Sequence, residues 1–285
     1  MSDTPAKLTL PALGDMKRKA ERLTSVTAYD YPSARLADEA GIDIVLVGDS
    51  AAMTMLGYDT TLPISMDEML TFTRAVVRAV KRAVVVADMP FGSFQVSDES
   101  AVANAVRFAR EAGADAVKIE GAGPSLARAR AIVDAGVPVM GHLGLTPQSV
   151  TKLGGYRAQA RTADAAARLV DDARALEAAG CFSMVLEAVP AAVAERVTAV
   201  VGVPTIGIGA GPSCDGQVLV WHDLLGLTSG HQARFVKRYA ELGRTIDAAL
   251  RAYIDDVRGG RFPAVEHTYP MPDEELRKLE AAKKK

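Results

Sequence analysis

Short apolar runs alternate with segments of helical periodicity along most of the chain, and this alternation limits the fold more than any other feature. Most of the intervening segments carry apolar residues at helical spacing, and several end in a glycine that would stop a helix. Eight β/α units in about 250 residues are typical of a closed (β/α)8 TIM barrel, whereas a doubly wound sheet usually has fewer strands. The predicted strands lie near residues 24–30, 42–49, 83–90, 116–121, 138–143, 182–189, 204–210 and 217–223.

The 285 residues contain no internal linker, low-complexity tract or charge block, so we expect one domain spanning residues 1–285. The barrel is expected at about 20–230, a C-terminal helical extension at about 231–270 and a flexible tail at 271–285. Apolar residues at helical spacing from about His231 to Arg258 predict a long helix in the extension. This helix could pack on its own barrel or on a neighbouring subunit.

Charge and cysteine usage exclude several classes of protein. The 33 basic and 35 acidic residues nearly balance, which argues against a surface for nucleic acid or an anionic membrane. The apolar runs are much shorter than the roughly 20 residues of a membrane span. Cys181 and Cys214 lie far apart without metal-ligand spacing, and the N-terminus lacks an apolar signal core. We therefore expect a cytoplasmic protein that binds neither nucleic acid nor membranes.

Polar side chains follow or end several of the predicted strands, at the barrel end where active sites lie. Four carboxylates around one apolar barrel mouth would repel each other unless some protonate or share a cation. Oxygen ligands with only one histidine nearby favour Mg²⁺ over Zn²⁺. In strand order, these residues are Asp49, Ser50, Asp88, Lys118, Glu120, His142 and Glu187.

The fourth predicted strand, within AVKIEGAG, shows how such residues can sit in a buried strand. Because side chains alternate along a strand, Val117 and Ile119 should face the helices, while Lys118 and Glu120 line the site. Lys118 would then neutralise further negative charge, such as an anionic substrate. Glu187, at the end of an apolar run, suits a general base, and His142 is expected to support the site by hydrogen bonding.

Structural interpretations of the same residues stay open at this point. A single aspartate at a strand end is more often a helix N-cap than a metal ligand, and this applies to Asp49 and Asp88. Lys118 and Glu120 could form a structural ion pair. The gathering of all these residues at one barrel face favours a functional site.

Three connections between predicted elements also attract attention. The segment Ser50 to Ser65 and the segment Thr151 to Arg161 are long for βα connections, and we interpret both as substrate-binding loops. GIGAG, from Gly207 to Gly211, is interpreted as a tight turn rather than a phosphate site.

Long stretches of the chain, running in order from about Leu8 to Pro270, resemble the ketopantoate hydroxymethyltransferase family of the pantothenate and coenzyme A pathway. One departure is Ala160, where the family usually has glycine. The stretches that carry the resemblance are VTAYDYPSARLADEAGIDIVLVGDS, MLGYDTTLPISMDEML, DMPFGSFQ, VKIEG, PVMGHLGLTPQSV, GGYRAQAR, VLEAVP and GIGAGPSCDGQVLVWHDLLGL.

The resemblance implies a barrel that assembles into a homodecamer and transfers a hydroxymethyl group to 3-methyl-2-oxobutanoate, giving 2-dehydropantoate. The one-carbon donor would be 5,10-methylenetetrahydrofolate, and the reaction would pass through a Mg²⁺-stabilised enolate. Glu187 would be the proton acceptor. The resemblance further assigns Mg²⁺ to Asp49, Asp88 and Glu120, and the 2-oxo acid to Asp49, Ser50, Asp88 and Lys118.

Two alternatives to this function remain. A Mg²⁺-dependent lyase of the isocitrate lyase and phosphoenolpyruvate mutase group would also stabilise the enolate of a 2-oxo acid, but its typical cysteine-containing loop is not found in this sequence. A barrel that binds a 2-oxo acid without turnover is the second alternative, and the complete set of polar strand ends argues against it.

Overall fold

Eight parallel strands close into a barrel in the computed structural model, which describes residues 6–228 and 233–282. Each strand pairs with its neighbours in chain order, and β1 pairs with β8 to complete the ring. The predicted (β/α)8 fold is therefore confirmed. The strands are β1 Leu23–Thr27, β2 Ile44–Val47, β3 Val84–Asp88, β4 Ala116–Glu120, β5 Val139–Gly144, β6 Ser183–Glu187, β7 Thr205–Ile208 and β8 Gly216–Leu219.

Helices connect the strands and surround the barrel, as right-handed βα units require. None of the described helices is long and apolar enough to cross a bilayer. The helices are α1 Leu10–Arg18, α2 Tyr31–Glu39, α3 Ala51–Thr54, α4 Met66–Ala79, α5 Asp98–Arg107, α6 Pro124–Asp134, α7 Val150–Leu153, α8 Ala163–Ala178, α9 Ala191–Val200, α10 Trp221–Leu224, α11 Leu242–Arg258 and α12 Asp273–Ala282.

Two apolar layers form the core, one on each face of the sheet. Val117 and Ile119 belong to the outer layer between strands and helices, as their alternation predicted. The inner layer fills the barrel with side chains such as Ile44 and Val84 from the strand beginnings. Leu13 of α1 is fully buried in this inner layer, so α1 closes the N-terminal end of the barrel.

Strand register sets the polar residues beside one another at the opposite end. Asp88 pairs with Lys118 across β3 and β4, and Glu120 pairs with His142 across β4 and β5. Because these side chains point into the barrel above the apolar layers, register alone brings them into contact.

The C-terminal part differs from the expected long helix. Helix α11 begins at Leu242, and residues 231 and 232 of the predicted segment lie outside the described residues. The chain before α11 is held differently: the backbone N–H groups of Tyr239 and Leu242 donate to the carbonyls of Leu224 and Leu225. These bonds to the end of α10 replace intrahelical ones. Residues 273–282, expected in a tail, form the exposed helix α12.

Candidate active site

All seven polar residues singled out in the sequence line one cavity of about 1150 Å³ at the C-terminal end of the barrel. A cavity of this size slightly exceeds the range of about 300–1,000 Å³ that is typical for small-molecule ligands and cofactors. The structure therefore brings together every predicted site residue. Those residues are Asp49, Ser50, Asp88, Lys118, Glu120, His142 and Glu187.

Asp49 and Asp88 lie side by side on β2 and β3. The backbone N–H of Asp49 donates to Asp88 Oδ2 at 3.0 Å, inside the protein. Neither aspartate caps a helix: Ser50 precedes α3 and Ser97 caps α5. The N-cap interpretation is thus wrong for both, and their carboxylates are available for the cavity.

Burial disfavours the ionised forms of Asp49 and Asp88 and so raises the pKa of both carboxyl groups. Desolvation, reinforced by the negative charges of Asp88 and Glu120, raises the pKa of Asp49 to about 7. Desolvation also raises the pKa of Asp88, although Lys118 opposes the rise. The raised pKa values of these two adjacent carboxyl groups mean that positive charge nearby would be needed to keep both ionised.

Lys118 supplies part of the missing charge. Its Nζ lies 3.0 Å from Asp88 Oδ1, and both side chains are 4% exposed. Burial alone would lower the pKa of this ammonium, but Asp88, Glu120 and Asp49 outweigh it and raise the pKa. Lys118 is therefore a permanent cation among the carboxylates, as expected from the sequence.

His142 connects Lys118 with two further carboxylates. Its Nδ1 lies 3.2 Å from Lys118 Nζ and 3.3 Å from Glu120 Oε1, and its Nε2 lies 3.2 Å from Glu187 Oε2. Burial and Lys118 lower the pKa of the imidazole, yet the adjacent carboxylates of Glu120 and Glu187 outweigh them and raise it to about 9. Nε2 of His142 carries a proton in two protonation states: in the imidazolium, and in the neutral tautomer whose Nδ1 accepts from Lys118. In both states this proton faces Glu187.

Glu187 ends β6 on the opposite side of His142 from Glu120. Its side chain is 16% exposed, more than those of His142 and Glu120, so it is the one carboxylate of this cluster with clear access to the cavity. A carboxylate that contacts the cavity and is paired with a protonated nitrogen can accept a proton from a bound substrate.

Ser50 is fixed from beneath by Tyr29. The Tyr29 hydroxyl lies 2.8 Å from Ser50 Oγ, and burial raises the pKa of Tyr29 to about 12. Tyr29 therefore stays neutral and orients Ser50 beside Asp49. The sequence analysis did not single out Tyr29, although it lies in the VTAYDYPS stretch next to β1.

Gln148 is the most important site residue that sequence reasoning missed. Its side-chain Nε2 donates to Asp49 Oδ2 at 3.1 Å, and its backbone N–H donates to Glu120 Oε2 at 3.0 Å. An uncharged amide after β5 gives no chemical signal by itself. The signal that could have found it is its position four residues after the end of β5, in LTPQSV.

The two predicted substrate-binding loops both reach the cavity. Met53 and Tyr58 of the first loop and Tyr156 and Arg157 of the second line it. The loops also meet, since the Tyr156 hydroxyl donates to Met53 Sδ at 3.8 Å. Ala160 has a φ of 54°, a left-handed conformation that glycine adopts at lower cost.

The GIGAG segment forms a turn that glycine permits. Gly209 has a φ of 64°, and a Cβ there would lie 2.6 Å from the ring of Phe235. The GIGAG segment therefore packs closely against the part of the same chain that contains Phe235, in agreement with its interpretation as a tight turn.

The donor chemistry around Asp49 and Asp88 fits a hard divalent cation. Asp88 Oδ1 and Glu120 Oε1 are enclosed and accept no well-formed hydrogen bond, and each has only an ion-pair contact, with Lys118 and His142 respectively. Burial, and then the charges of Asp88 and Glu120, raise the pKa of Asp49, so a cation would stabilise its ionised form. Over residues 6–228 and 233–282, no three His, Cys, Asp or Glu side chains already converge as a metal centre. Lys118 and His142 lie between Asp88 and Glu120.

Comparison with known proteins now decides the family. The family model described as ketopantoate hydroxymethyltransferase matches residues 7–265, which include the whole barrel. The chain belongs to the ketopantoate hydroxymethyltransferase family. The resemblance stated from the sequence is thereby confirmed.

Curated members of the ketopantoate hydroxymethyltransferase family are similar over almost their full length. The 3-methyl-2-oxobutanoate hydroxymethyltransferase of Moorella thermoacetica is 57% identical over 264 residues, covering 93% of this chain and 98% of the relative. The enzyme of the same name from Heliobacterium modesticaldum is 53% identical, covering 94% and 97%.

Several solved structures with a similar fold are of enzymes with other names. Phosphonopyruvate hydrolase, in complex with oxalate and Mg²⁺, has a TM-score of 0.59 at 16% identity, covering 96% of this chain and 95% of that one. A putative phosphonomutase from Burkholderia cenocepacia has a TM-score of 0.63 at 16% identity, covering 85% and 98%. At this identity the likeness concerns the fold of the family and not its chemistry.

Proposed function

We propose that this chain is a 3-methyl-2-oxobutanoate hydroxymethyltransferase, a one-carbon transferase that makes 2-dehydropantoate in pantothenate biosynthesis. The observation that carries the proposal is 57% identity, over nearly the full length, to the Moorella thermoacetica enzyme of that name. The lysine and carboxylate side chains that line one cavity support it, because they can bind an anionic 2-oxo acid and remove a proton from it.

Asp49, Asp88 and Glu120 would hold Mg²⁺, and the ion would act as a Lewis acid that polarises the 2-oxo group and makes the C3 hydrogen acidic. Lys118 is placed to hold the substrate carboxylate or the developing enolate oxygen, because its ammonium is buried and permanently charged. Ser50 offers a hydroxyl oriented by Tyr29 to the same acid.

Glu187 is the proposed proton acceptor. It takes the C3 proton, while the protonated Nε2 of His142 lies 3.2 Å from its Oε2. The C3 carbon then forms a bond to the methylene carbon of 5,10-methylenetetrahydrofolate as the carbon–nitrogen bonds to the donor break. Water supplies the hydroxyl oxygen. The proton that water releases and the proton held by Glu187 pass to the two nitrogens that the methylene carbon has left, and tetrahydrofolate departs.

The cavity has room for this second substrate beside the small oxo acid. Its outer wall carries Met53, Tyr58 and Tyr156, which present apolar and aromatic surface above the carboxylates. A ring system such as that of a reduced folate binds to surfaces of this kind by stacking.

We further propose a single-domain subunit that assembles as a homo-oligomer, with a homodecamer as the form implied by the family resemblance. Helix α11 supports an assembly, because none of its side chains is buried within this chain although Ile246, Leu250 and Tyr253 are exposed on it. A cytoplasmic location is proposed because Cys181 and Cys214 are free thiols.

The first experiment combines metal-stripped protein with Mg²⁺, 3-methyl-2-oxobutanoate and 5,10-methylenetetrahydrofolate, and follows the product by mass spectrometry. A hydroxymethyl gain that depends on metal supports the proposal, and a reaction without metal is the control. Folded, Mg²⁺-loaded protein that gives no product would contradict it. Cleavage of a 2-oxo acid would then indicate a lyase, and binding without turnover a catalytically silent barrel.

A further inference from the structure

The side chain of Gln148 lies buried between three strand ends. Its Nε2 group has two hydrogens, and both are used: one is donated to Asp49 Oδ2 at 3.1 Å and the other to the carbonyl of Met89 at 2.9 Å. Its Oε1 accepts a hydrogen bond from Gln95 Nε2 at 3.2 Å. Each of the three hydrogen bonds of the Gln148 side-chain amide therefore has a defined donor and acceptor.

Gln95 determines which way the Gln148 amide points. The backbone N–H of Gly92 donates to Gln95 Oε1 at 2.7 Å, so that end of the Gln95 amide must be its oxygen. The other end is therefore the NH₂ group, and it can only meet an oxygen of Gln148. The order Gly92, Gln95, Gln148, Asp49 is a chain of amide hydrogen bonds with one possible direction.

The same residue also reaches the second carboxylate. The backbone N–H of Gln148 donates to Glu120 Oε2 at 3.0 Å, at the start of the segment that follows β5. One residue therefore contacts both Asp49 and Glu120, which belong to strand ends separated by β3. Among the described residues, neither Gln95 nor Gln148 belongs to those that line the cavity with Glu187.

We propose that Gln148 is a positioning residue that fixes the Asp49 carboxylate, and that Gln95 fixes Gln148 in the one orientation that can do so. The inference rests on the proposed function, since Asp49 is a proposed ligand of the metal. Without the amide donor, repulsion from Asp88 would turn the Asp49 side chain to another rotamer. Residues that orient a metal ligand typically change metal affinity by 10–100-fold when removed.

Two apolar substitutions of similar length separate the two roles. Gln148→Met removes the donor to Asp49 but keeps the backbone bond to Glu120. Gln95→Met leaves Gln148 in place and removes the donor that orients it, together with the acceptor of the Gly92 N–H, and Gln95 itself is exposed. Gln217→Met is the matched control, because Gln217 is exposed and its Nε2 donates to the Gly211 carbonyl, away from the carboxylates.

Three measurements test the proposal. Mn²⁺ binding, followed by electron paramagnetic resonance of the free ion, should weaken by about 10–100-fold in Gln148→Met and by a smaller factor in Gln95→Met. In the double variant, Gln95→Met should have no further effect. C3 proton exchange of 3-methyl-2-oxobutanoate should return toward the rate of the unsubstituted protein at saturating metal, and Gln217→Met should match that protein throughout.

Crystal structures of the metal-free protein and of Gln148→Met supply a readout independent of activity. A changed Asp49 rotamer in the variant supports the proposal. An unchanged Asp49 rotamer, unchanged Mn²⁺ affinity, or additive effects of the two substitutions would overturn it. If the unsubstituted protein neither binds Mn²⁺ nor exchanges the C3 proton, the proposed function fails, and the Asp49 rotamer still decides the role of Gln148.

Discussion

Lys118 Nζ lies 3.0 Å from Asp88 Oδ1 in a part of the barrel where neither side chain is more than 4% exposed. The two residues are direct neighbours in the register of β3 and β4. An ion pair this deep gains little net stability over apolar residues, because desolvation of both charges offsets their attraction. Its presence is explained by the chemistry of the cavity rather than by the stability of the barrel.

Loss of Lys118 should expose the cost of the buried carboxylates. Lys118→Met is expected to lower the free energy of unfolding by about 3–5 kcal/mol, because it leaves negative charge without a partner. The loss should be larger at pH 8 than at pH 5, since Asp49, whose pKa is raised to about 7, is protonated at the lower pH, and burial raises the pKa of Asp88 in the same direction. Urea denaturation at both pH values measures it. Lys278→Met, on exposed α12, should have almost no effect, and an equal loss at both pH values would contradict the account.

Asp49 should make metal-free protein less stable as the pH rises. Its pKa is raised from 3.8 to about 7, so the folded state holds a proton that the unfolded state has released between these values. Stability from this group is therefore present below about pH 4 and is lost as the pH approaches 7. Asp49→Asn should remove up to ~4 kcal/mol of this pH dependence. Unfolding curves from pH 4 to pH 8 test it, and parallel profiles for the two proteins would refute it.

Glu187→Gln should greatly slow removal of the C3 proton and leave metal affinity unchanged. The amide cannot accept the C3 proton, so exchange of that proton into deuterated water should slow by about 10²–10⁴-fold. Mn²⁺ affinity should be unchanged, because Glu187 contacts His142 rather than the aspartate pair. Glu195→Gln, on the exposed face of α9, is the control. Loss of metal binding in Glu187→Gln would remove the assignment of Glu187 as the base.

Gly144 is the place where an added methyl group should disturb β5 and β6 together. Its φ is 94°, and a Cβ there would lie 2.2 Å from the carbonyl oxygen of Glu187. Gly144→Ala should cost more than the ~1–2 kcal/mol of left-handed strain alone, and it should also reduce activity by displacing Glu187. Gly136→Ala is the matched control, because its φ is 90° and nothing lies within 4 Å. Thermal unfolding of both variants should show the difference, and equal losses would argue against the clash.

The barrel and the ring of polar strand ends were predictable because both follow from local patterns. Eight repeats of strand and helix periodicity determine the closed sheet, and alternation within β4 correctly separates Val117 and Ile119 from the interior. Parallel strands place all their C-terminal ends on one face. Polar side chains at these strand ends that point into the barrel therefore line the same cavity.

Contacts made by loops could not be predicted in the same way. Gln148 is neutral and lies outside the strands, and its role depends on Gln95, which is 53 positions away in the chain. The start of α11 was missed because backbone bonds to α10 compete with helix formation before Leu242. Tertiary hydrogen bonds of this kind leave no periodic trace in the sequence.

Leu13 of α1 closes the N-terminal end of the barrel, and this closed end affects how ligands enter. With the floor sealed by α1, ligands reach the deep carboxylates only through the mouth that the two long loops surround. A small oxo acid seated on the carboxylates lies beneath any bulky donor that fills the upper cavity. In the proposed reaction, the acid would then arrive before the donor, and the spent donor would depart before the enlarged acid. The closed end of the barrel therefore predicts an ordered kinetic mechanism for the proposed two-substrate reaction.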